Sequence, residues 1–112
     1  MRIVISEFIT LDGVIEAPDQ WSFPYGTDAL YGYKFEEVLA TDAGLMGRVT
    51  YEGFAAAWPD REGTDEDMFA KRLNSMPKYV VSTTLETASW KNSHIIKSNV
   101  VEEITKIKQQ PG

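Results

Sequence analysis

Two short segments of this chain carry residue types and spacings that could hold a nucleotide. In Ala43-Gly-Leu-Met-Gly-Arg-Val-Thr-Tyr-Glu-Gly-Phe54 an apolar run stops at Gly47 and passes directly into an amphipathic helical pattern. That pattern predicts a strand feeding a helix N-terminus. The first-turn N–H groups of such a helix lack intrahelical partners and its dipole adds partial positive charge; Arg48 adds a full one, so a phosphate fits there. Gly47 has no Cβ, so a phosphate can approach its backbone, or the chain can take a positive φ, without a clash. The same residues also read as an ordinary strand-to-helix turn, because isolated glycine motifs are common.

The second segment is Pro77-Lys-Tyr-Val-Val-Ser-Thr-Thr-Leu85, whose apolar and β-branched residues from Tyr79 to Val81 predict a buried parallel strand. It runs into three consecutive hydroxyls, Ser82, Thr83 and Thr84. Ligands of open α/β sheets sit outside the carboxyl ends of the strands, so two polar strand ends of this kind can converge on one nucleotide. The competing reading of the hydroxyls is turn and cap chemistry, since short hydroxyls satisfy local backbone groups well.

Three motifs together resemble a known family. Met-Gly-Arg-Val-Thr-Tyr-Glu at 46 to 52, Thr10-Leu-Asp-Gly-Val14 and Lys78-Tyr-Val-Val-Ser-Thr-Thr84 are similar to segments of the dihydrofolate reductase-like family. The branch they most resemble is that of bacterial proteins similar to the reductase domain of the bifunctional riboflavin-biosynthesis deaminase/reductase. The resemblance runs from the first strand almost to Gln110. It implies an α/β fold, with a mixed, mostly parallel sheet flanked by helices and NADPH bound across the strand ends.

Carried over by position, the resemblance assigns Gly47, Arg48 and Thr50 to the cofactor's phosphates, and Ser82, Thr83 and Thr84 to its adenosine end near the 2′-phosphate. It places the Leu11-Asp12-Gly13 turn beside the nicotinamide. The substrate it implies is a flat heterocycle of the pyrimidine or pteridine kind. In this family a later glycine-rich segment closes the other side of the cofactor, and the chain reaches Gln110-Pro-Gly112 where that segment would begin. The resemblance therefore reads as the amino-terminal portion of a longer fold, with residues 1–112 forming one domain.

Hydride transfer asks little of a protein beyond placing two rings and moving one proton. Asp12, on the glycine turn, is the catalytic candidate, although Asp-Gly is also a routine turn pair. Asp28, Glu36 and Glu52 are further carboxylates near the expected rim. His94 is the lone histidine; it precedes an apolar strand and reads as structural or surface. Trp21 and Phe23 lie in a loop from Thr10 to Thr27 rich in glycine and proline. Loops of that length are usually functional or disordered. Their rings are costly to leave in water, so they either cover a pocket, as substrate-binding residues, or plug one end of the core.

Composition limits the alternatives. The 112 residues are 43% hydrophobic and carry a net charge of −6, which argues against a nucleic-acid surface, where a clustered basic patch is expected. The absence of cysteine removes disulfides, thiolate catalysis and cysteine-based zinc sites. No metal site is expected. The apolar run after Met1 is too short for a signal peptide, so a cytoplasmic protein without a membrane span is the default.

The positioning elements follow from periodicity. A first strand is predicted at Arg2 to Ile9, buried on both faces. A helix capped by Thr27 or Asp28 should run to about Thr41, with Leu30, Tyr33 or Phe35, Val38 and Leu39 inward. A strand at Ala43 to Met46 leads to a helix from Arg48 that buries Val49, Phe54 and Ala57 and ends at Trp58-Pro59. A helix from about Asp65 to Ser75 should turn Met68, Phe69 and Leu73 inward. Strands at Lys78 to Ser82 and His94 to Lys97 precede a last helix, Val100 to Gln109, capped by Ser98 or Asn99. An unpaired strand edge is a template for association, so a homo-oligomer is expected. The rival to the reductase is a noncatalytic nucleotide-binding or assembly module, or an inactive fragment of a reductase.

Overall fold

In the computed structural model, which describes residues 1–112, helix α1 (Asp28–Ala40) starts where the sequence places a cap. Thr27 is extended, and its hydroxyl accepts a hydrogen bond from the Leu30 N–H at 3.1 Å. This satisfies one of the first-turn donors. Thr27→Ala is accordingly expected to cost about 1 kcal/mol of stability, read as a lower urea midpoint at unchanged slope. An unshifted midpoint would show that the cap contributes nothing.

Strand β1 (Gly44–Gly47) leads without a break into helix α2 (Arg48–Ala57), which stops at Trp58-Pro59. Helix α3 (Asp67–Ser75), strand β2 (Lys78–Val81), strand β3 (Ser93–Ile96) and helix α4 (Val100–Lys108) follow. The three strands form one sheet in the order β1-β2-β3, and both pairings are parallel. In register, Gly44, Lys78 and Ser93 form one row, and Gly47, Val81 and Ile96 another. The α/β class thus stands, with a sheet that is wholly parallel.

One face of the sheet carries the core. Val80 is fully buried and packs with Tyr51 from α2 and with Trp90, and Met46, Leu73 and Ile95 pack around them. Polar groups tie these pieces together: the Trp90 indole N–H donates to Asn74 Oδ1 at 2.7 Å, and the Trp90 backbone N–H donates to the Tyr51 hydroxyl at 3.1 Å. Each hydrogen bond satisfies a buried polar group that would otherwise be costly. On the other face, Leu45, Tyr79 and His94 form a row in which Leu45 and His94 are exposed.

Several expectations are corrected. Residues 2–9 form no strand: Ile3, Val4 and Ile5 are 52%, 69% and 82% exposed rather than buried. Strand propensity alone cannot hold a strand, because its backbone groups need a partner ladder and these residues have none. The segment is tied down instead by the amino-terminal ammonium, which donates to the Lys108 and Gln110 carbonyls, and by Lys34, which reaches Ser6 Oγ and lies over the Phe8 ring. Tyr33 and Leu39 of α1 point to solvent, and Phe35 takes the inward place, edge-on to Phe69. In α2 the buried residue is Tyr51, whereas Val49 and Phe54 are exposed; in α3 Ala70 and Asn74 are buried, Phe69 and Leu73 half-buried and Met68 exposed. The stripe in α2 is therefore rotated from the expected one, whereas in α3 Phe69 and Leu73 pack inward as expected. Asn99 precedes α4 with a positive φ and makes no side-chain cap.

Candidate functional site

The carboxyl end of β1 and the start of α2 meet at Gly47, which is extended and caps the helix with no side chain. No atom lies within 4 Å of where a Cβ on Gly47 would stand, so the backbone is open to a ligand at that point. The first-turn N–H groups of α2 point into this opening by helix geometry alone. Arg48 extends from the same turn, 44% exposed, and its guanidinium bonds both Glu52 carboxylate oxygens at 3.1 Å across one helical turn. An exposed pair of this kind is worth only about 0.3 to 0.5 kcal/mol, so Arg48 is cheaply drawn toward an anion. Thr50 is exposed two residues further on.

Parallel pairing brings the second polar strand end alongside. Gly47 lies opposite Val81, which puts Ser82 next to Arg48 at the same carboxyl edge of the sheet. Ser82 is buried, its N–H donates to the Ile96 carbonyl, and its hydroxyl oxygen accepts from the Thr84 and Leu85 N–H groups at 3.2 and 3.0 Å. This is the turn chemistry that the sequence allowed. It occupies the acceptor side of the Ser82 hydroxyl, which also lies 3.4 Å from Thr84 Oγ1, either hydroxyl being able to donate to the other. Thr83 and Thr84 are exposed, as a hydroxyl pair facing an anion must be.

The remaining candidates lie in the amino-terminal loop. Thr10 to Val14 forms a tight turn in which the Gly13 N–H donates to the Thr10 carbonyl and Gly13 takes a φ of 94°, a region that favours glycine. Leu11 is fully exposed. Asp12 accepts from the Thr10 hydroxyl at 2.5 Å, and this hydrogen bond holds its carboxyl below the usual carboxylate range. A carboxyl stabilised as the anion is a poor proton donor at neutral pH. Trp21 is half-buried, with its indole N–H on the Glu16 carbonyl at 2.9 Å, while Phe23 is exposed at the start of a single 3₁₀ turn. His94 is exposed and stacks on Tyr79 across β2 and β3, with ring centroids 5.4 Å apart.

Sequence reasoning passed over one group. Lys78, at the start of β2, is 1% exposed; its ammonium donates to the Leu73 and Asn74 carbonyls at 2.8 and 2.9 Å and lies 4.1 Å from the centre of the Trp90 ring. It closes the last turn of α3, where a cation suits the helix dipole. Burial, with the charge of Lys91 as a smaller cause, pushes its ammonium down to about 8. A lysine opening an apolar strand was the available signal.

The structure therefore brings together Gly47, Arg48, Thr50 and Ser82 to Thr84 at one edge, and holds Leu11 to Gly13, Trp21 and Phe23 in a separate loop. The family model described as the RibD C-terminal domain matches residues 2–111. An uncharacterized protein of Bacillus subtilis (strain 168), YyaP, is 30% identical over 115 residues, which cover 99% of this chain and 58% of YyaP. The chain thus spans little more than half the length of that relative. No helix is long and apolar enough to cross a membrane.

Proposed function

The chain belongs to the RibD C-terminal domain family, and from that membership we propose that it is an NADPH-dependent reductase of a pyrimidine- or pteridine-like heterocycle, resembling the pyrimidine reductase of riboflavin biosynthesis. The observation that carries the reading is the uncapped start of α2, open at Gly47, beside Ser82 at the carboxyl edge of a parallel sheet. The donors present there fit a dinucleotide: backbone N–H groups and Arg48 for the pyrophosphate, and Thr83 and Thr84 for a terminal phosphate.

When bound, the nicotinamide supplies the hydride. The chain's own part is to hold and orient. The first turn of α2 fixes the phosphates, and Arg48 exchanges Glu52 for an oxygen of the ligand. The turn at Leu11 to Gly13 would border the nicotinamide, and Trp21 and Phe23 would offer an apolar surface to a flat substrate. A second reading, a nucleotide-binding module without turnover, is favoured by one observation. Asp12, the candidate for moving the proton, is held as the anion by Thr10.

Arg48→Ala should weaken NADPH binding about 5- to 150-fold, the equivalent of about 1 to 3 kcal/mol for a lost charge-assisted hydrogen bond. Fluorescence titration of folded variant and parent measures this. Equal affinities would remove Arg48 from the site. Loss of absorbance at the reduced-nicotinamide band on adding a pyrimidine or pteridine then separates the two readings: binding with turnover is the reductase, binding without it the module.

A further inference from the structure

We propose that Glu52 is a built-in competitor for the anion site at the start of α2: it neutralises Arg48 while the site is empty and sets how tightly a phosphate-bearing ligand is held. This rests on the reading of that turn as the phosphate site and adds the residue that regulates it. Arg48 opens α2, and the first turn of the helix carries no acidic residue. A cation there faces the positive end of the helix dipole, the sign that a helix start disfavours. Helix stability therefore does not account for an arginine at this position; an anion beyond the helix end does.

Without a ligand, the counter-charge comes from one turn further on. Both Glu52 carboxylate oxygens lie 3.1 Å from Arg48 Nη1, and neither side chain has another hydrogen-bonded or charged partner. The order of the pair is the weaker one, since at this spacing an acid placed N-terminal to a base suits the dipole better. The contact is also end-on: a single nitrogen serves both oxygens, and Nε and Nη2 make no hydrogen bond. Carboxylates and phosphates are held best side-on, by two parallel N–H groups. Glu52 leaves that two-nitrogen edge to a phosphate, and the pair, 44% and 51% exposed, separates readily. It lies within one turn of α2, so no residue outside that turn is needed to form it.

Coulomb's law sets the direction of the effect. A carboxylate one guanidinium away from a bound phosphate repels it even through solvent, and salt weakens this without removing it inside a Debye length of about 8 Å. Parting Arg48 from Glu52 adds a smaller opposing contribution. Together they hold affinity about 3- to 10-fold below that of a chain with a neutral residue at position 52.

Calorimetric titration of the 112-residue chain and of Glu52→Gln with NADPH and, separately, with inorganic pyrophosphate tests this. The substitution keeps the length and shape of an exposed side chain, and circular dichroism checks that the variant is folded. Glu52→Gln is expected to bind both probes about 3- to 10-fold more tightly, with the gain shrinking as salt is raised. In an Arg48→Ala background the same substitution should gain less, because there is no guanidinium to release. Pyrophosphate bound more tightly by Glu52→Gln, with NADPH bound by neither protein, would uphold Glu52 as the competitor and remove the dinucleotide reading. NADPH bound equally by both would keep that reading and overturn the proposal. Weaker binding by the variant, which would make Glu52 a positioning residue for Arg48, would overturn it too. So would a gain undiminished in the Arg48→Ala background, or neither probe binding to either protein.

Discussion

Replacing Trp90 by alanine is expected to remove about 3 to 5 kcal/mol of stability, a large share of the about 5 to 15 kcal/mol that a domain has in all. Three losses coincide at this residue. The ring is 5% exposed and fills the space between Val80 and Tyr51, so its removal leaves a cavity in the only buried cluster. Asn74 Oδ1 loses its donor while Asn74 itself stays buried, which adds the cost of an unsatisfied group. The Lys78 ammonium loses the aromatic face 4.1 Å away. Urea unfolding followed by circular dichroism measures the sum. A loss below about 1 kcal/mol, the median for ordinary substitutions, would mean that Trp90 does not hold the sheet to α2 and α3.

The second large effect is on pH. Lys78 gives up its proton near 8 in the folded chain and near 10.5 when unfolded. Between those values the unfolded state binds more protons, so stability rises with pH through this window and is lowest below about 8, where the buried ammonium is charged. The neutral amine still has two N–H groups for the Leu73 and Asn74 carbonyls and gives up only its contact with the Trp90 ring. The rise attributable to Lys78 is expected to be about 3 kcal/mol, and Lys78→Met should abolish it, leaving a flatter profile between pH 8 and 10.5. Parallel unfolding curves at stepped pH for the two proteins make the comparison. Identical slopes would remove Lys78 as the cause.

How far the sequence reached depended on whether the determining contact was local. Thr27, Gly47 and Trp58-Pro59 mark helix ends through chemistry confined to a few residues, and those ends appear where the residues put them. The parallel strands at Gly44 and Lys78 were equally legible, since a short apolar run between polar turns has few other uses. Residues 2–9 failed because a strand is a relation between two segments: the composition is right and the partner is absent. The stripe of α2 was misplaced because what the helix packs against fixes its rotation. Trp90, whose backbone N–H donates to the Tyr51 hydroxyl across 39 residues of sequence, selects the buried face of α2, a contact that periodicity cannot register.

The site divides along the same line. The order Gly47-Arg48 then Ser82-Thr83-Thr84 was visible, and the parallel register that places them side by side follows from the strands. That Glu52 pairs with Arg48 follows from helical spacing and could have been read beforehand. The Thr10 bond that holds Asp12 ionised could not, because it depends on how the turn closes.

Calorimetric titration of the chain with NADPH, and then with NADH, tests the account most directly. Assembly of the site at the start of α2 predicts micromolar binding of NADPH and weaker binding of NADH, whose missing 2′-phosphate leaves Thr83 and Thr84 without their anion. A folded sample that releases no heat with either nucleotide would contradict it.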